Sequence, residues 1–241
     1  MSCAVRADFD RWRLSRRLPI CDPCRVSQKA IFRAILTVPI LLLAGSAAAD
    51  SVAPWKPDGT SGGLWVESRE VQGSSFHEIR ITAVSSIGLV RMCDAIFGKG
   101  REVQSTVRFK KREVLRETAT ERWTYEQIEV PWVADRDYVM HTKLEQPASS
   151  GRCEVSFETE NDSSRPPAAG FVRIPCIRGH WWVAPTADGK LWLRYEVYSE
   201  PGGGIPAFLA RGGQRSSAIE FVKAAIGRAG APETVARGTG P

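Results

Sequence analysis

The chain has 241 residues, of which 43% are hydrophobic and 25% charged, and its 33 Lys and Arg residues outnumber its 27 Asp and Glu residues. These fractions are typical of a globular protein and exclude a disordered or low-complexity chain, and the length is enough for one large domain with its own core. The formal charge of +6 would favour a nucleic-acid or acidic-membrane partner if the basic residues belonged to the folded domain.

The first distinctive segment is the apolar run Ala34–Ala44, which follows basic residues and precedes the small residues Ala47 and Ala49. This order predicts a secretory signal peptide within residues 1–49, cleaved before Asp50. A membrane-spanning helix needs roughly 20 apolar residues, so the run is too short to be one; the alternative is a buried core helix. We therefore expect an exported protein, either periplasmic or secreted.

Most of the net charge lies in the same N-terminal segment. Residues 1–49 hold eight basic and three acidic residues, so the remaining chain has a net charge of only +1. A nucleic-acid partner is therefore not expected. Three of the six cysteines lie after this segment, at Cys93, Cys153 and Cys176. In an oxidising compartment they allow one disulfide and one buried thiol.

Residues 50–63 are rich in Pro, Gly and Ser, which predicts an extended lead-in to the folded domain. Short segments of β-forming residues, separated by turn residues, come next. Between Ala83 and Phe97 the apolar residues change to a helical spacing, and Gly98 predicts the end of this helix. The predicted strands are Leu64–Val71, Ser75–Thr82, Val103–Leu115, Arg122–Val130, Asp137–Gln146, Cys153–Glu160, Phe171–Val183 and Leu191–Ser199.

The last predicted element is a long helix from Pro206 to Ala229, with a broad apolar stripe and a soft point at Gly212-Gly213. The polar tail, residues 231–241, is predicted to be flexible. Two strands, one helix, six strands and one long helix form an α+β pattern. In such a pattern an antiparallel sheet can curl around the last helix.

The predicted strand Asp137–Gln146 has two different faces. Tyr138, Met140, Thr142 and Leu144 form a largely apolar face, whereas the side chains between them are mostly polar. An apolar face of this kind is equally typical of a filled core and of the wall of a ligand cavity, and the alternation does not decide between them.

Four short motifs follow one another on the predicted strands and turns. They are Pro131-Trp132 with Arg136-Asp137-Tyr138-Val139, then Gly170-Phe171-Val172-Arg173, then Gly179-x-Trp181-x-x-x-Pro185, and then Glu200-Pro201-Gly202-Gly203-Gly204-Ile205-Pro206. Their order and spacing resemble the START lipid-transfer domain of the helix-grip superfamily, over residues 64–230, in the form of an exported bacterial member. The resemblance implies a curved antiparallel sheet wrapped around the long C-terminal helix, enclosing a hydrophobic tunnel.

The resemblance also implies a function. It predicts a monomeric protein that binds and carries a lipid or sterol, without catalysis and without a cofactor or metal, in transient contact with membranes. Burial of a lipid tail is worth about 0.8 kcal/mol per methylene, so a dry tunnel is sufficient to drive lipid extraction. The predicted lipid-binding residues are Tyr138, Met140, Thr142, Leu144, Arg173, Trp181, Phe208 and Leu209.

Some of these residues have a structural alternative. Core or rim packing is expected for Trp181, and Arg136 and Asp137 are expected to form an ion pair at the start of a strand, ahead of contact with a ligand. For Arg173 a carboxylate partner, Asp137 or Glu196, is expected ahead of a lipid phosphate, because a buried Arg needs a partner. Many relatives carry an Arg at the position of Thr142, so its absence here favours a sterol, a fatty acid or another weakly polar lipid.

The main rival interpretation is an enzyme, since the helix-grip superfamily includes cyclases, aromatases and hydratases. Such an enzyme would act on a hydrophobic, polyketide-like substrate and would need a proton-transfer group inside its pocket. The chain has three histidines. We expect His141 to point outward, His77 to lie at the surface and His180 to lie beside the bend at Gly179, so none is predicted to be catalytic.

A disulfide prediction depends on how two of the strands pair. If the turn lies near Pro166-Pro167, the segments Cys153–Glu160 and Phe171–Val183 form an antiparallel pair. That pairing would bring Cys153 and Cys176 together, and they are therefore the predicted disulfide partners.

Overall fold

A computed structural model of the protein describes residues 53–98, 108–130, 133–160, 165–205 and 207–230, and the side chains of residues 207–210 are not described. Several predictions lie outside these residues. They are the signal peptide, the start of the predicted strand Val103–Leu115, the motif Pro131-Trp132, Pro206, the tail 231–241, and the side chains of Phe208 and Leu209.

The described chain contains ten strands, two helices and a short 3₁₀ turn, Ala148–Ser150. The helices are α1 (Leu89–Phe97) and α2 (Ala207–Gly230). The strands are β1 (Lys56–Ser61), β2 (Leu64–Glu70), β3 (His77–Ser85), β4 (Phe109–Glu117), β5 (Glu121–Ile128), β6 (Asp135–Gln146), β7 (Cys153–Glu160), β8 (Phe171–Arg173), β9 (Cys176–Pro185) and β10 (Leu191–Glu200).

The strands form one curved sheet in the order β1-β2-β3-β10-β9-β7-β6-β5-β4. Every neighbouring pair in this order is antiparallel, and the short strand β8 adds to β6 in parallel. α2 packs mainly on α1, β3 and β10, and α1 packs on β6, β7 and β9. The predicted fold class, a curved antiparallel sheet around a long C-terminal helix, is confirmed.

The core lies between the helices and one face of the sheet, which we call the inner face. Its side chains stand in register across the strands, because each pair of aligned residues points to the same side. One row runs through Val66, Ile81, Tyr195, Trp181 and Val155. This row is buried together with Ile219, Val222 and Ala225 of α2 and with Met92 and Phe97 of α1.

Two element boundaries differ from the prediction. β3 continues to Ser85, so residues 83–85 belong to a strand and not to the predicted helix, which begins at Leu89. Pairing of Ala83 and Ser85 with β10 outweighs the local helical spacing. The helix ends at Gly98, as predicted, and this glycine has a left-handed φ of 89°.

Two other segments were also predicted differently. Part of the lead-in forms the edge strand β1, where Pro57 is tolerated because an edge strand needs only half of its hydrogen bonds. Trp55, just before it, is held between the guanidinium groups of Arg69 and Arg80, 4.3 and 3.9 Å from its ring centroid. The predicted strand Phe171–Val183 is two strands, since Pro175 interrupts it.

The predicted disulfide between Cys153 and Cys176 is wrong, although β7 and β9 do pair in the predicted antiparallel way. The register places Cys153 opposite Val183, so Cys176 lies at the far end of the strand pair. Cys153 is instead bonded to Cys93, with a Cα–Cα distance of 5.7 Å, and this bond joins α1 to the start of β7. Cys176 is a buried thiol.

Candidate functional site

Arg136, at the start of β6, holds the segment that leads into α2. Its guanidinium group donates hydrogen bonds to the carbonyl oxygens of Pro201 (3.3 Å), Gly202 (3.2 Å) and Ala134. Burial lowers the pKa of Arg136 from its ordinary value. Gly202 and Gly203 have φ values of 66° and 69°, and a Cβ on Gly203 would lie 3.1 Å from the guanidinium group. Arg136 therefore has a structural role, but the predicted ion pair with Asp137 is wrong, because Arg136 bonds to backbone carbonyl oxygens and Asp137 to Arg173.

Asp137, the next residue, points to the opposite, outer face and also has a structural role. Its buried carboxylate accepts hydrogen bonds from Arg173 Nε (2.9 Å) and Nη2 (3.1 Å), the Tyr125 hydroxyl (3.0 Å) and the Ala168 N–H (2.9 Å). Burial alone would raise the pKa of Asp137, but these donors outweigh it and hold the pKa below its ordinary value.

Arg173 is therefore placed away from the other predicted lipid-binding residues. Of its two predicted carboxylate partners the structure selects Asp137, while Glu196 accepts a hydrogen bond from Arg80 Nε at 2.7 Å. This pairing on the outer face leaves Arg173 out of any site that we build on the inner face.

Aromatic side chains line the inner face opposite α2. The Tyr195 ring centroid lies 4.5 Å from that of Trp181, 5.6 Å from that of Phe221 and 5.8 Å from that of Phe157. Gly179 makes room for this group, because a Cβ at this position would collide with the Phe157 ring. Trp181, a predicted lipid-binding residue, is 2% exposed and packs as a core residue.

The predicted face of β6 is also part of the inner face. Tyr138 is buried, and Met140, Thr142 and Leu144 are half-buried. Leu144 packs against the main core, but Met140 belongs to neither of the two buried apolar clusters of the described chain. The structure thus brings these four residues and Trp181 onto one face. The apolar side chain of Met140 is not covered by the described core.

A buried polar cluster lies next to Met140 on this face. Its centre is the carboxylate of Glu126 on β5, which is 4% exposed. The carboxylate accepts hydrogen bonds from the Tyr138 hydroxyl (2.5 Å), the Arg112 Nε (2.8 Å) and the Thr124 hydroxyl (3.1 Å). Three donors compensate for the loss of water around the buried charge.

The tyrosines on the inner face are neutral hydrogen-bonding groups. Burial raises the pKa of Tyr138 well above its ordinary value, and the neighbouring Glu126 carboxylate and Tyr195 hydroxyl add to this shift. Burial also raises the pKa of Tyr195. Neither phenol ionises near neutral pH, so each can donate a hydrogen bond but neither can act as a base there.

Glu126 and Tyr195 are absent from the prediction made from sequence. The only signal for Glu126 is that it lies two residues after Thr124 in a predicted strand, so that both side chains point to the same face. For Tyr195 the signal is a row of aromatic residues on strands that are distant in sequence, and it becomes visible only when the register is known.

A cavity of about 200 Å³ lies between the start of α2 and strands β1–β3. Arg215 closes one side by donating from Nε to the Asp58 carboxylate at 3.1 Å. Sites for whole small molecules are usually about 300–1,000 Å³, so this cavity is too small for a complete lipid. It is lined by Asp58, Ser68, His77, Ile79, Arg211, Gly212, Gln214 and Arg215.

The histidines do not gather in a pocket. His141 lies on the outer face, as predicted, stacked on Trp123 with 4.2 Å between ring centroids, and His180 stacks on Trp182 at 4.1 Å. His77 is half-buried at the small cavity, where a surface position was expected. Among the residues with described positions, no cluster of three or more potential metal ligands is found.

No helix in the described part of the chain combines the length and the apolar character needed to cross a bilayer.

Comparisons with known proteins agree with this architecture. An uncharacterized protein of Pseudomonas aeruginosa is 27% identical over 180 residues, which cover 73% of this chain and 85% of that protein. A STAR-related lipid transfer protein from Xanthomonas axonopodis has a crystal structure that matches with a TM-score of 0.64 and 28% identity, over 73% of this chain and 98% of that one.

A more distant match shows the fold alone. Human StAR-related lipid transfer protein 5 has a TM-score of 0.64 and 17% identity, over 75% of this chain and 88% of that one. No family model matches the chain. The strand order, the helix held against the inner face and the bacterial and human structures agree, and the protein has a START-like helix-grip fold.

Proposed function

We propose that the protein binds and carries a lipid or sterol between the inner face of its sheet and α2. The observation that carries this proposal is the half-buried Met140, an apolar side chain outside both described core clusters. It lies on the same face as an aromatic group and beside a buried polar cluster. Apolar walls with a few polar groups are typical of small-molecule sites.

The likeness to the Xanthomonas axonopodis lipid transfer protein supports the same ligand class. Burial of ten methylenes of a lipid would contribute about 8 kcal/mol, against which the entropic cost of association must be set. The polar cluster at Glu126 then gives the site a hydrogen-bonding end. Phe208 and Leu209, in the first turn of α2, remain proposed ligand contacts, whereas Arg173 does not.

We propose further that the activity is not enzymatic. The phenols of Tyr138 and Tyr195 have raised pKa values and remain protonated near neutral pH. His141 and His180 lie on the outer face, away from the proposed site. The third histidine, His77, lies at the small cavity on β3, four strands away from β6 in the sheet order, and not beside Met140 or Glu126.

The cell envelope is the proposed location, and monomers that contact membranes transiently are the proposed carriers. The predicted signal peptide supports this location. The Cys93–Cys153 disulfide also supports it, because structural disulfides form and persist in oxidising compartments and are rare in reducing ones.

The proposal is tested by equilibrium uptake of two fluorescent probes, dehydroergosterol and cis-parinaric acid, by the purified protein. We expect saturable binding of at least one probe, and displacement by an unlabelled lipid of the same class. If neither probe binds saturably, the carrier proposal fails. Turnover of a polyketide-like substrate that is lost in Tyr138→Phe would instead support a cyclase-type enzyme.

A further inference from the structure

We infer that the hydroxyl group of Tyr195 recognises a neutral hydrogen-bonding group on the ligand, a hydroxyl or a carbonyl. The inference rests on the proposed function and deepens it, since it names the ligand as a lipid alcohol or lipid carbonyl compound. A plain hydrocarbon cannot make this contact, and a charged head group would lose its hydration in the same largely buried place.

The four tyrosines of the chain differ in one respect. The hydroxyl groups of Tyr125, Tyr138 and Tyr198 donate to Asp137, Glu126 and Ser74 respectively, at 3.0, 2.5 and 2.8 Å. These three buried tyrosines therefore have protein partners, as buried polar groups normally do. The Tyr195 hydroxyl forms no hydrogen bond with any residue in the described ranges, although Tyr195 is only 4% exposed.

The Tyr195 oxygen is not among the fully buried unpaired polar atoms of the described chain, so part of its surface is open on the inner face. The Tyr195 ring packs against Trp181, Phe157 and Phe221, and a Phe ring would make the same contacts. With no partner in the described protein, the hydroxyl can form a hydrogen bond only with another molecule, a ligand or water. The ligand-free protein thus presents a donor on the inner face that nothing in the described protein uses.

The surroundings of Tyr195 indicate which kind of group it would meet. Burial is what raises the pKa of Tyr195, so charged groups do not dominate its environment. Its hydroxyl also contributes to the raised pKa of Tyr138, after burial and Glu126. Because Tyr138 donates its proton to Glu126, the Tyr138 oxygen remains an acceptor.

A ligand hydroxyl or a ligand carbonyl would accept a hydrogen bond from Tyr195. An ordered water molecule could occupy the same place. The experiment must therefore separate a group on the ligand from a water molecule.

The test uses pairs of lipids that differ only in a hydroxyl group, cholestanol with cholestane and hexadecanol with hexadecane. Each competes with bound cis-parinaric acid or dehydroergosterol in the protein, in Tyr195→Phe and in the matched control Tyr198→Phe, whose hydroxyl lies on the outer face. Alcohol and hydrocarbon also differ in hydrophobicity. The diagnostic quantity is therefore the change in their affinity ratio between proteins.

In Tyr195→Phe we expect the alcohol-to-hydrocarbon affinity ratio to fall by roughly 2- to 12-fold in at least one pair, the range that one neutral hydrogen bond gives. In Tyr198→Phe the ratio should not change. An unchanged ratio in Tyr195→Phe, including an equal loss of both ligands, would mean that water or nothing fills the place and would overturn the inference. If neither probe binds at all, the proposed function fails as well, which distinguishes the two failures.

Discussion

Residues on the two faces of strand β6 differ in how far other parts of the protein cover them. On the outer face Asp137 is fully buried and hydrogen-bonded to Arg173, Tyr125 and the backbone of the segment before β8. On the inner face Met140 and Thr142, only a few residues away, are half-buried. Asp137 on the outer face is thus saturated with protein contacts, whereas Met140 on the inner face keeps apolar surface that the described core does not cover. Farther along β6, the outer-face residues His141 and Lys143 are half-buried as well.

The comparison predicts that substitutions on the outer face affect stability most. In Asp137→Asn the Arg173 guanidinium loses its charged partner in a largely buried place, which should lower the free energy of unfolding by about 3–5 kcal/mol. Urea unfolding measures this change. A loss below about 1 kcal/mol would show that the outer-face ion pair does not hold the sheet together.

The same carboxylate predicts a pH dependence. Because the folded pKa of Asp137 is lowered, its stabilisation is complete above the unfolded pKa of about 3.9 and is lost as the pH falls through the lower folded pKa. The difference in Tm between the protein and Asp137→Asn should be constant from about pH 5 to pH 8 and shrink below about pH 4. A difference that stays constant at acid pH would contradict this assignment.

The polar cluster on the inner face should have an intermediate effect. In Glu126→Gln the charge that strengthens three hydrogen bonds is removed while the shape is kept, so we expect a loss of about 1.5–3 kcal/mol of stability. Thermal unfolding of ligand-free protein checks this. A neutral effect would indicate that water replaces the lost interactions.

The smallest effect on stability, and the largest on binding, is expected at Met140. In Met140→Lys the ammonium group would face the proposed lipid site, so probe affinity should fall at least about tenfold while unfolding changes by about 1 kcal/mol or less. Val84→Lys on the outer face of β3, where Val84 is 49% exposed, is the matched control and should bind normally. If both variants bound the probes equally well, the proposed role of the inner face in lipid binding would be contradicted.

The sequence predicts the two faces of β6 well, because side chains alternate strictly along a strand and the apolar set is continuous from Tyr138 to Leu144. It also predicts the helix-grip architecture through four spaced motifs. The structural role of Arg136 follows from the same motifs, but its partners, the carbonyl oxygens of Pro201 and Gly202, are far away in the sequence.

The features that the sequence does not predict depend on the register of paired strands and on the curvature of the sheet. The disulfide partner of Cys153 is Cys93 and not Cys176, because an antiparallel pair leaves the offset of its strands open until the register is known. Tyr195 on β10 contributes to the raised pKa of Tyr138 on β6, although β9 and β7 lie between these strands in the sheet. The alternation of side chains within one strand does not predict which residues of other strands act on them.

Native mass spectrometry of the protein purified from the cells that naturally produce it, followed by organic extraction, tests the central claim most directly. The proposed function predicts a hydrophobic molecule that leaves with the protein in stoichiometric amount, is released by the organic solvent, and is depleted in Met140→Lys but not in Val84→Lys. Protein that repeatedly emerges without any such molecule, and that takes up neither fluorescent probe, would contradict it.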